Sequence, residues 1–123
     1  QATKVMIKKN WKIIYIKAVP MGDKDAVRFY YKDNRGQVYN GQVIRNTGLS
    51  KGKYMAGSLH QTEALQELVN HLQQNDQEVP SSIDIIITQE GYRIKTIFNY
   101  NEDTSNLPAY LQQYEQQNFP SMK

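Results

Sequence analysis

"IDIIITQEGYRIKTIFNY", from Ile83 to Tyr100, decides the fold. Both of its halves are rich in β-branched and aromatic residues, and Gln89-Glu90-Gly91 between them has turn chemistry. The stretch therefore predicts two antiparallel strands joined by a short turn. Alternation places Ile83, Ile85 and Ile87 on one face of the first strand. Ile94, Phe98 and Tyr100 share a face of the second.

Immediately upstream, "QQNDQEVPSS" (73–82) carries the Asn, Asp and Pro that stop a helix. Before it, Leu65, Leu68, Val69 and Leu72 recur at i, i+3, i+4 and i+7, which predicts one apolar helical stripe. Ser58 or Thr62 is the expected cap, and "NTGLSKGK" (46–53) reads as a loop. The stripe is expected to pack on Ile83, Ile85 and Ile94. Downstream, "NEDTSN" (101–106) reads as a loop. "LPAYLQQYEQQNF" (107–119) reads as a short helix with Leu107, Leu111 and Tyr114 on one side.

The first half of the chain is strand-like. "WKIIYIKAV" (11–19) is β-branched and aromatic, and Pro20, Gly22 and Asp23 end it in a turn. In "AVRFYYKD" (26–33), Val27, Phe29 and Tyr31 point one way and Arg28, Tyr30 and Lys32 the other. Asn34-Arg35-Gly36 supplies a hairpin turn. "QVYNGQVIR" (37–45) is a third strand, with Gly41 weakening it or marking a bulge. Residues 1–10 fit either a helix end or a strand. The order is β-β-β-α-β-β-α. It predicts an α+β domain over residues 1–123, an antiparallel sheet of about five strands with helices packed on it.

The chain has 123 residues and a net charge of +3. That charge is split: Gln1 to Lys53 holds twelve Lys/Arg against three acids, and Tyr54 to Lys123 holds three against nine. Such asymmetry gives an oriented field if the halves stay apart in space, and none if one sheet intermixes them. There is no Cys, which excludes disulfides, thiolate metal sites and cysteine nucleophiles. The two histidines, His60 and His71, are eleven positions apart on the helix, about 16 Å along its axis, too far to share a metal. Glu67 and His71 form an ordinary i,i+4 pair. "SKGK" (50–53) lacks the glycine spacing of a phosphate loop. Asp23, Asp25, Glu102 and Asp103 are turn and loop acids. The sequence implies no enzyme, metal or cofactor. No run is long and apolar enough to span a membrane. A chain beginning at Gln1 is expected to have lost a leader or to have been trimmed.

Surfaces remain. Nine tyrosines are many for this length. Arg28, Tyr30 and Lys32 form one outward row and Arg93 and Lys95 another, a basic-aromatic patch if the rows share a sheet face. Such a face stacks bases and neutralises phosphates in single-stranded nucleic acid. Tyr and Arg also anchor protein interfaces, and Lys on a sheet face serves solubility.

Three segments resemble the YezG-like immunity proteins of bacterial toxin systems: "KKNWKIIYIKA" (8–18), "AVRFYYKDNRG" (26–36), and the helix, Pro-containing break and hairpin from Leu59 to Tyr100. A related immunity family of contact-dependent inhibition systems is similar in kind. The likeness runs from about Asn10 to Tyr100 in order and spacing. Ser81 departs from it, because the family usually carries a Trp after that Pro, and so does the basic balance of the chain. The resemblance implies a cytoplasmic, non-catalytic protein that binds a cognate toxin domain, often a nuclease. Exposed Tyr30, Tyr39 and Tyr54 are then the expected anchors. Glu63, Glu67, Asp76 and Glu78, on or just beyond the helix, would mimic phosphates toward a basic nuclease, or the basic half, with Arg28, Lys32, Arg93 and Lys95, would grip an acidic toxin. The alternatives are a single-stranded nucleic-acid-binding module and a secreted accessory domain.

Overall fold

The computed structural model describes residues 11–20, 25–43, 47, 49–91 and 93–122. Five strands and two helices follow the predicted order: β1 (Ile13–Val19), β2 (Ala26–Lys32), β3 (Val38–Asn40), α1 (Lys51–Gln74), β4 (Ser82–Thr88), β5 (Arg93–Asn99) and α2 (Leu107–Asn118). The sheet is antiparallel with spatial order β3-β2-β1-β4-β5. The expected ambiguity over residues 1–10 and the turn at Gly22 and Asp23 lie outside the described residues.

β1 is the centre. Ile14, Ile16 and Ala18 look to one face and Tyr15, Lys17 and Val19 to the other. Because both faces are covered, the strand reads as a near-continuous apolar run rather than an alternating one. On the first face α1 closes the core. Ile14, Ile16, Phe29, Tyr31 and Ile87 pack together with Trp11 and Tyr54 against them, and Leu65 joins Ala18 and Ile83. On the second face α2 brings Leu111 onto Val19 and Ala26.

Several boundaries differ from the sequence reading. α1 starts about two turns early, with Ser50 as its N-cap accepting from the Lys53 amide at 3.4 Å. The glycine and lysines of "SKGK" belong to its first turn, not to a loop. The third strand stops at Asn40, and the last two residues expected in it, Ile44 and Arg45, lie outside the described residues. Gly41 explains the stop. A methyl there would enter the Phe29 ring, and the Gly41 amide donates to the Phe29 carbonyl at 2.9 Å. Ile94 is 54% exposed, so it is not under the helical stripe as expected; Leu65 meets Ile83, and Leu68 is half-buried.

The β2–β3 turn is built by Asp33. Its Oδ1 accepts from the amides of Arg35 (2.9 Å) and Gln37 (3.0 Å), and Gly36 takes the positive φ of 85° that the turn requires.

Candidate functional site

The register settles where the two basic rows lie. Lys32 opposes Ile13, Ile13 opposes Thr88, and Thr88 opposes Arg93; Tyr30 reaches Lys95 by the same route through Tyr15 and Ile86. Directly opposed residues share a face, so Arg28, Tyr30 and Lys32 do lie on the same face as Arg93 and Lys95. Three strand spacings separate them, about 14 Å.

That face is not an open aromatic platform. α2 and the turn after it lie over the β2 side. Tyr30 is wholly buried, with Phe119 at 5.0 Å and Tyr114 at 5.8 Å between ring centroids, and its hydroxyl donates to Glu115 Oε2 at 2.8 Å. Burial, then the Glu115 carboxylate, pushes its pKa well above the usual phenol value. The expectation of Tyr30 as an exposed anchor is therefore corrected. It lies under α2 because Phe119, from the far end of the chain, covers its ring.

The other candidates scatter. The Tyr39 ring stacks on Tyr31 at 5.1 Å, and its hydroxyl donates to Asp33 Oδ2 at 3.1 Å. The Tyr54 hydroxyl donates to the Gly41 carbonyl at 2.8 Å, with its ring against the core. Both are half-buried, with polar tips committed to the fold. Arg28 is half-buried, donating to the Val27 carbonyl at 3.3 Å, and Lys32 is also half-buried. Glu63 and Glu67 are exposed on α1, one turn apart, and Asp76 and Glu78 beyond the helix are exposed too. Arg93 and Lys95 are exposed on β5 and make no ion pair with a described acid.

A polar cluster that the sequence reading passed over occupies the same face. Lys17 on β1 opposes Asp84 on β4. Its Nζ donates to Asp84 Oδ2 at 3.3 Å and lies 3.1 Å from Oδ1. The second approach lacks hydrogen-bond geometry, so Oδ1 is a buried atom without a hydrogen bond among the described residues. Nζ also sits 4.8 Å from the Tyr114 ring centroid and 5.3 Å from that of Tyr110, within cation–π range. Burial alone would lower the Lys17 pKa; Tyr110 and the Asp84 carboxylate outweigh it and raise the net value. Asn99 donates to Asp84 Oδ2 at 2.7 Å, and Ser82 and Tyr110 both donate to Glu102. A cleft of about 460 Å³ opens beside this cluster, with Tyr15, Asn99, Glu102 and Phe119 in its walls. The signal in the sequence was a lone Lys in "IIYIKAV" and a lone Asp in "SIDIIIT".

Among the described residues no cluster of three His, Asp or Glu side chains is arranged to hold a metal, and no helix is long and apolar enough to cross a membrane. His60 and His71 are both exposed on α1. The site is a set of surfaces: an acidic helix face, a basic sheet edge and a polar cleft beside α2.

Set beside known families, the chain matches the model of the immunity protein YezG-like family over residues 1–121. It belongs to that family of immunity proteins. No curated protein matches it.

Proposed function

We propose that this protein binds and neutralises the toxin domain of a secreted effector, a nuclease, in the cytoplasm of the cell that makes it. The family match across residues 1–121 carries the reading. The surfaces support it in kind. Glu63 and Glu67 on α1 and Asp76 and Glu78 beyond it are exposed acids suited to the basic substrate surface of a nuclease. A single-stranded nucleic-acid role loses its main support, since the Tyr30 ring that would stack a base lies under Phe119. Co-expression with the toxin domain encoded beside it is the test. Growth is expected to be restored, while unrelated toxins still kill. A neighbouring toxin that kills equally with and without this protein would overturn the proposal.

A further inference from the structure

The two edges of the sheet differ. β3 is three residues long and half-buried, and the chain beyond α2 lies beside it: Gln37 Nε2 donates to the Ser121 carbonyl at 2.9 Å. β5 is seven residues long, and its outer edge pairs with no described residue. Ile94 is 54% and Phe98 44% exposed on one face, and Tyr100, just past the strand, is 43% exposed. These are three of the five large hydrophobic side chains exposed among the described residues. On the other face Arg93 and Lys95 stand without an acidic partner among the described residues. A long free edge with exposed apolar side chains is what soluble proteins ordinarily avoid unless something covers it.

We propose that the toxin binds at this edge, adding an extended segment to β5 as a sixth strand in which apolar residues alternate with acidic ones. This rests on the toxin-neutralising reading above. An added strand satisfies the free backbone groups of β5, and alternation fixes its chemistry. Residues opposite Ile94 and Phe98 meet apolar surface; those opposite Arg93 and Lys95 meet positive charge. The charge pattern disfavours a second copy as occupant. A two-fold pairing that sets Ile94 against Phe98 makes Lys95 of the two copies diagonal neighbours. The pairing that sets Ile94 against itself puts Lys95 opposite Arg93. Like charges so placed are destabilising.

Backbone amide exchange, followed residue by residue with and without the neighbouring toxin domain, tests the proposal. Amides of Arg93–Asn99 are expected to exchange at least about tenfold more slowly in the complex. Lys95→Glu and Ile94→Glu are each expected to weaken toxin binding at least about tenfold without lowering the melting temperature. Toxin bound with β5 exchange unchanged would overturn the edge and leave the immunity reading standing. Free protein already protected along the outer edge of β5, whether by another part of the chain or in a dimer seen by sedimentation, would overturn it too. If the neighbouring toxin does not bind at all, the immunity reading fails, and a synthetic peptide of alternating Val and Glu decides the edge. Chemical-shift changes confined to β5, absent with a Val-Lys peptide, support the edge; no change at millimolar peptide overturns it.

Discussion

β1 and β5 are each seven residues long, rich in Ile, and carry one lysine at mid-strand. Yet Ile16 is 3% exposed and Ile94 54%, and Lys17 is buried against a carboxylate while Lys95 is free in solvent. β5 carries more polar residues than β1, but the larger difference is in neighbours. β1 has a strand on each side and a helix over each face; among the described residues β5 has one strand beside it and little cover. Position in the sheet, set by contacts far apart in the chain, decides what the same residue types do.

The sharpest way to break this comparison is to truncate matched residues. Ile16→Ala is expected to cost about 2 to 5 kcal/mol in a urea titration, and Ile94→Ala under about 1 kcal/mol. Similar losses at both sites would mean that β5 is as buried as β1. The lysines sharpen it next. Asp84→Ala leaves Lys17 without its carboxylate and is expected to cost about 3 kcal/mol; Lys95→Ala should stay within about 0.5 kcal/mol of the parent. A near-neutral Asp84→Ala would mean that the Tyr110 and Tyr114 rings hold the ammonium by themselves.

A smaller effect is expected from pH. Lys17, Tyr30 and Tyr114 all have pKa values raised in the folded protein. Burial is the first cause for Tyr30 and Tyr114; for Lys17 burial pulls down, and Tyr110 and Asp84 outweigh it. Each contributes stability that is fully present below its unfolded pKa of about 10 and lost as pH rises toward the folded value. Midpoints of thermal unfolding should therefore fall progressively above about pH 10. A flat profile from pH 9 to 11, roughly spanning the unfolded values, would contradict the buried cluster.

Much of the fold was legible because β-branched runs and turn residues signal locally. "IDIIITQEGYRIKTIFNY" folds as the hairpin it resembles, and the β2 alternation puts Phe29 and Tyr31 inward as read. The α1 start was missed because Gly52, Lys51 and Lys53 have turn composition, while Ser50, about two turns before Ser58, is an equally good cap. The end of β3 was overrun because only the three-dimensional approach of Phe29 to Gly41 reveals it. Ile94 and Phe98 were placed on the correct face, but alternation does not report how far a helix extends over it. Tyr30 was misjudged for the same reason. The Lys17–Asp84 pair was passed over, although a single charge in an apolar strand asks for a partner. The proposed binding edge is less legible, because an unpaired edge is a property of the assembled sheet.

The strand order has a kinetic consequence. β1 pairs with β2 through a short connection, but its other neighbour, β4, arrives only after α1. The Lys17–Asp84 contact spans 67 positions, and the Tyr30–Glu115 contact spans 85. On a ribosome, β1 to β3 can emerge and pair first, with the inner edge of β1 bare until residues 82–88 follow. Assembly is then a late insertion beside the central strand, which closes a long loop before its contacts repay the entropy. During that interval the most apolar strand of the molecule is itself an open edge.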